Sequence, residues 1–149
     1  MDAIARRPFL FGVAGAAFSF AATGSDRMRK RPISPTSGAY AQAMEVTDAR
    51  RLLFVSGQVP TDADDHVPEG FADQARLAWR NVFARLAEAD MTPDDLVKVT
   101  IFLSDRAHRA ENAAVRREML GDRTPALTII IAGIYSEEWL LEIEAVAAA

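Results

Sequence analysis

The sequence predicts an α+β domain in which one sheet carries two helices on one of its faces. Two stretches repeat apolar residues at helical spacing, and five short stretches are rich in β-branched and apolar residues. From Met28 onward they follow in the order ββαβαββ. Segments such as Ala126 to Ala132 (ALTIIIA) are apolar on both sides, although one helix layer covers only one face of a sheet. A second copy of the chain is the expected cover, so the pattern also predicts an oligomer.

Each element has its own signal. Tyr40 to Val46 and Arg51 to Gln58 read as strands, and the polar Thr47-Asp48-Ala49-Arg50 between them has the length of a hairpin turn. Pro60 to Gly70 holds two prolines, four acidic residues and a glycine, the composition of a loop. Phe71 to Ala89 is a helix with Phe71, Ala75, Ala78, Val82 and Leu86 on one face; Trp79 and Phe83 widen that face toward the core. Arg76 and Arg80 fall on the exposed side. Thr92-Pro93-Asp94-Asp95 has a Thr cap, a proline at the first helical position and acid in the first turn.

Leu96 to Leu103 (LVKVTIFL) is a β-branched strand. Asp105 caps a second helix that runs to Leu120, with Arg106, Arg109, Arg116 and Arg117 on a basic side. Pro125 ends the connection before the strand Ala126 to Ala132, and Gly133 and Ser136 mark the turn into a last strand, Trp139 to Val146. The helices make βαβ crossovers, for which the right-handed form is expected.

Composition narrows the function. With no cysteine and two histidines, His66 and His108, the chain has no disulfide, thiolate or Cys-zinc chemistry and no three-histidine metal site. Both histidines read as solvated. The net charge is −4 over 149 residues. Residues 1–27 carry three Arg and two Asp, which leaves 14 basic against 19 acidic side chains for the domain. An acidic domain argues against nucleic acid as a partner.

Residues 1–27 are expected to stand outside the fold. Phe9 to Ala22 is an apolar run too short to span a membrane, preceded by Arg6-Arg7. Two readings stay open: an export leader similar to the twin-arginine type, or an extension upstream of a true start at Met28. The second is favoured, which places the protein in the cytoplasm, with export if Arg6-Arg7 is a working signal. No membrane partner is expected for the domain, 28–149.

Three segments are unusual for a plain core: Ser37-Gly38-Ala39-Tyr40-Ala41-Gln42, Ser56-Gly57-Gln58-Val59-Pro60, and Leu141-Glu142-Ile143-Glu144-Ala145-Val146. Glu142 and Glu144 are two apart on a strand and point to one face. A carboxylate on the inner side of a sheet is a candidate base or water-orienting group; on an edge it only faces water or pairs with arginine.

These segments resemble the Rid family (RidA, also called YjgF) of reactive-intermediate imine deaminases. Leu96 to Leu103, Asn112 and Thr124-Pro125-Ala126 extend the match, which covers about Ile33 to Ala147. The resemblance implies a chorismate-mutase-like fold and a homotrimer with ligand clefts between subunits. It also implies hydrolysis of imine or enamine metabolites to a carbonyl compound and ammonia, without cofactor or metal. By position, Tyr40, Ser56 and Asn112 match substrate-contacting residues, and Glu142 matches the glutamate that holds the hydrolytic water. Ile129 stands where relatives often keep cysteine.

One departure limits the reading. Where the family's deaminases carry an arginine that grips the substrate carboxylate, followed by Ser or Thr, this chain has Leu127-Thr128. A bidentate Arg–carboxylate contact is worth about 1.5–3 kcal/mol, so its loss counts against the standard 2-imino acid deaminase activity. Arg123 is about 13 Å back along an extended chain; Arg116 or Arg117, near Asn112, are the other candidates to substitute. Two functions remain: hydrolysis of an imine- or enamine-type metabolite, or a non-catalytic small-molecule-binding trimer.

Overall fold

The computed structural model describes residues 28–149; the leader reading of 1–27 lies outside the described residues. The elements are β1 (Arg29–Thr36), β2 (Tyr40–Thr47), β3 (Leu52–Gln58), α1 (Phe71–Glu88), β4 (Leu96–Leu103), α2 (Arg109–Leu120), β5 (Ala126–Ile131) and β6 (Leu141–Ala148). They build one six-stranded mixed sheet in the order β1-β2-β5-β4-β6-β3. β5 is parallel to both β2 and β4, and the other pairings are antiparallel.

Alternation along β4 and β6 sets the core. Val99, Ile101 and Leu103 face the helices with Leu141, Ile143, Ala145 and Ala147, all buried. From α1 come Ala75, Ala78, Trp79, Val82 and Leu86, at the spacing that predicted the helix. Trp79 is fully buried, its ring 5.7 Å from Phe83. Burying a side chain of leucine size is worth about 1.5–3 kcal/mol, so this layer carries most of the stability. The short turn Pro93–Asp95 has a full capping box: Thr92 Oγ1 accepts from Asp94 N–H, and the Asp95 carboxylate accepts from Thr92 N–H at 2.7 Å. Asp105 caps a single turn, Arg106–His108, that leads into α2.

Buried amides fix the loops to this frame. Gln74 donates to the carbonyls of Pro68 and Glu138 at 2.8 and 2.9 Å and accepts from Leu140 N–H at 2.8 Å. Asn81 donates to the carbonyls of Val59 and Thr61, each at 2.9 Å. The loop that precedes α1 and the one that enters β6 are therefore held by one side chain.

The structure departs from the sequence reading in four places. The strand β1 precedes those expected; Pro32 and Pro35 obscured it, and an edge strand tolerates proline because one side needs no ladder donors. The expected hairpin of Tyr40–Val46 with Arg51–Gln58 does not form. β2 pairs with β1 through the Ser37-Gly38-Ala39 turn, while β3 lies at the opposite edge, paired with β6. The Arg50 and Arg51 N–H groups both donate to the Ala149 carbonyl, at 2.9 and 2.8 Å, and lead the chain there. His108 is not simply solvated: its ring stacks on Phe71 at 4.5 Å. Arg76 is not a free surface residue: it donates to Glu118 at 2.9 Å and to Asp73 at 3.1 Å, and so ties α1 to α2.

Among the described residues no helix covers the opposite sheet face. Phe54 is 74% exposed there, and Leu52 and Ile130 also face outward. No helix among the described residues is long and apolar enough to cross a membrane.

Candidate functional site

The predicted site residues fall into two groups on opposite faces of the sheet. Register decides the side: Phe102 is paired with Glu142 and Ile130, whereas Val99, a core residue, is paired with Leu127. Glu142 therefore projects from the uncovered face and Leu127 toward the helices.

The first group lies at the β3–β6 edge. β3 loses its regular register between Val55 and Gln58, at Ser56-Gly57, and the bulge brings its backbone over Glu142. A Cβ placed on Gly57 would lie 1.5 Å from Glu142 Oε1, 2.5 Å from its Cδ and 2.9 Å from its Cγ. The carboxylate occupies the space that any other side chain at 57 would fill, which is why glycine stands there. Ser56 is exposed beside it. Glu144, further along the same face, stands opposite Thr100. Beyond Thr100 the Lys98 ammonium donates to Thr128 Oγ1 and, at 3.3 Å, to the Val99 carbonyl. Burial lowers the Lys98 pKa, and Glu144 partly offsets it.

The second group lies under the helices at the start of β2. The β1–β2 turn is closed by Thr36, whose hydroxyl accepts from Gly38 N–H and donates to the Tyr40 carbonyl, both at 3.1 Å. Ala39 takes a left-handed φ of 55°, and Tyr40 enters the strand partly exposed. Against it packs Arg116 of α2, its guanidinium 5.9 Å from the ring centroid. Asn112, one turn earlier on α2, is 1% exposed. Leu127 packs on the core margin and offers no polar group.

Within one chain the structure brings the Ser56-Gly57 bulge to Glu142 through Gly57, and Tyr40 to the Asn112 face of α2, but not the two pairs to each other. β2 and β6 are separated by β5 and β4, three strand spacings or about 14 Å. Sequence reasoning missed the seat of Glu142 on Gly57, because that contact joins segments far apart in the chain. Arg116 had a signal, since a residue four beyond Asn112 shares its helix face. Among the described residues no group of three His, Asp or Glu converges on a metal-sized position.

A six-stranded mixed sheet with both helices on one face, a tyrosine delivered by the first hairpin and a glycine bulge over a glutamate define a chorismate-mutase-like α+β protein of the YjgF/Rid class. Residues 29–149 match the family model described as endoribonuclease L-PSP, and the chain belongs to that family. A RutC family protein of Pyrococcus horikoshii is 33% identical over 119 residues, covering 78% of this chain and 89% of the relative. The mitochondrial protein mmf2 of Schizosaccharomyces pombe is 36% identical, covering 81% and 99%. The solved structure of Escherichia coli TdcF with bound serine superposes with a TM-score of 0.64 at 25% identity, covering 80% and 99%; TdcF is described as a putative reactive intermediate deaminase. Yeast Mmf1 gives 0.63 at 29% identity, covering 80% and 98%.

Proposed function

We propose that the chain assembles as a homotrimer whose inter-subunit clefts bind a small imine- or enamine-type metabolite and hydrolyse it to a carbonyl compound and ammonia. One observation carries the reading: the Glu142 carboxylate lies against the Gly57 backbone of the bulge, on a sheet face that nothing among the described residues covers. The separation of the two groups within one chain supports a cleft built from two copies, one bringing Glu142 and the other Tyr40. The solved relative with bound serine supports a small polar ligand.

In this mechanism Glu142 accepts a proton from water as the oxygen attacks the C=N carbon. Glu142 returns that proton to nitrogen to give the neutral carbinolamine, then takes the hydroxyl proton and passes it to nitrogen, so that the C–N bond breaks and ammonia leaves as the carbonyl forms. Ser56 supplies a hydroxyl to the reacting centre, and Tyr40, Asn112 and Leu127 line the substrate side, with Thr128 bordering it from the uncovered face. General-base catalysis of this kind contributes about 10²–10⁴-fold.

The experiment is ammonia release from imino acids generated in situ, comparing wild type, Glu142→Ala and Leu127→Arg. Activity that disappears in Glu142→Ala supports the mechanism. Inactivity of both wild type and Leu127→Arg refutes hydrolysis. A second reading, a trimer that binds without turnover, is favoured by Leu127, which removes a donor from the substrate side; it predicts ligand-dependent thermal shifts with no ammonia. The same proposal places the functional domain at 28–149 in the cytoplasm, and N-terminal sequencing of native protein decides whether 1–27 are a removed leader.

A further inference from the structure

The buried face of α2 holds polar atoms that the fold itself does not satisfy. Asn112 and Arg116 are 1% and 5% exposed and stand one turn apart on the same helix face. Among the described residues, Asn112 Nδ2 and Oδ1 and Arg116 Nη1 have no hydrogen-bond partner. The rest of the guanidinium is fixed, with Nε and Nη2 donating to the Gly38 carbonyl at 3.2 and 2.9 Å. Its other neighbour is the Tyr40 ring.

A cation in this position is unusual. Among the described residues the ion-paired arginines meet carboxylates at the surface, as Arg31 meets Glu45 and Arg123 meets Asp94. Arg116 meets a neutral carbonyl and an aromatic face. Burial holds its pKa below the ordinary value, and Arg117 adds to that shift, with Tyr40 acting against it. Taking a charge out of water without a counter-charge is expensive, so an anion is the group this environment selects. One guanidinium edge and one amide N–H present two donors, which match the two oxygens of a carboxylate.

We propose that Arg116, with Asn112 beside it, binds the carboxylate of the ligand and so supplies the charge that Leu127 lacks. A small carboxylate enters past Tyr40, whose partly exposed ring borders the guanidinium. The identity of the ligand as a 2-imino or 2-oxo acid rests on the hydrolytic reading above; the anion site itself does not.

The test is calorimetric titration of the full chain with 2-oxobutanoate and with its uncharged analogue 2-oxobutanamide. Wild type is expected to prefer the acid by on the order of tenfold or more. Arg116→Gln removes that preference, so that acid and amide bind alike, and Arg116→Lys keeps part of it. Because Arg116 is buried, Asn112→Asp provides a second variant: its carboxylate pairs with the guanidinium inside the chain, so the melting temperature rises and acid binding disappears.

Acid preference that survives in Arg116→Gln or Asn112→Asp overturns the proposal, as does a wild type that binds neither compound. Arg116-dependent acid binding in a protein that releases no ammonia upholds the anion site and overturns only the hydrolytic reading. Ammonia release with no dependence on Arg116 does the reverse.

Discussion

Replacing Gly57 with alanine separates the cost of moving Glu142 from the cost of losing it. The new Cβ would sit 1.5 Å from Oε1, and ordinary contact begins at about 3.4 Å, so the carboxylate must shift by about 2 Å. Glu142 is the end of a flexible, half-buried side chain, so the fold can yield at the cost of an off-rotamer arrangement, about 0.5–1.5 kcal/mol. For a domain of this size that lowers the melting temperature by only a few degrees, roughly 2–8 °C. The reaction is less tolerant, because a misplacement of about 1 Å already costs on the order of 10²-fold in rate.

Gly57→Ala is therefore expected to fold, and to release ammonia at least about 100-fold more slowly than wild type, close to Glu142→Ala. The double variant should be no slower than Glu142→Ala alone, since the alanine acts only through the carboxylate. The assay is initial-rate ammonia release, with thermal unfolding measured in parallel. Gly57→Ala turning over within about threefold of wild type, or a double variant much slower than Glu142→Ala, would refute the assignment of Gly57 as the seat of the base.

Three other outcomes follow from the same structure. Glu118 is held below the ordinary carboxylate range because Arg76 donates to it, so its contribution to stability is present above the unfolded pKa and is lost as pH falls through the folded one. The wild-type advantage over Glu118→Gln in thermal unfolding should shrink on acidification and in high salt; an advantage independent of both refutes the link between α1 and α2. Ile143→Ala, at a fully buried position of β6, should cost about 2–5 kcal/mol in denaturant unfolding. Phe54→Glu with Ile130→Glu, on the uncovered face, should give a folded monomer by light scattering, whereas an unchanged trimer would place the subunit contact elsewhere.

How much was legible in the sequence depended on whether the signal was local. The α1 helix could be read because its apolar period is carried by consecutive turns, and β4 because LVKVTIFL contains little but strand formers. Thr92 and Asp105 announced their caps, since capping uses side chains within three residues. β1 was hidden by its two prolines, which only an edge position excuses. The wrong partner for β2 has the same origin as the hidden seat of Glu142. A four-residue polar turn permits a hairpin but does not compel one, and which strands become neighbours is decided by segments at the far end of the chain.

The candidate site divides in the same way. Glu142, Ser56, Tyr40 and Asn112 were visible as residue types in ordered motifs. Their division between two sheet faces followed only from register, which a single-residue shift would reverse. Leu127 was legible as a missing charge, but the burial of Arg116 and its orphaned Nη1 were not, because both depend on how α2 packs over the β1–β2 turn.

The position of β6 between β4 and β3 has a consequence for the order in which the molecule can assemble. Among the described residues β3 has no other strand partner, and α1, β4, α2 and β5 lie between it and β6 in the chain. Until it inserts, the Ser56-Gly57 bulge has neither a ladder to bend away from nor a carboxylate to cradle. Glu142 arrives on the same strand that closes the sheet, so carboxylate and seat come together in a single step. A chain cut short before β6 would thus carry neither the carboxylate nor the sheet edge against which the bulge forms.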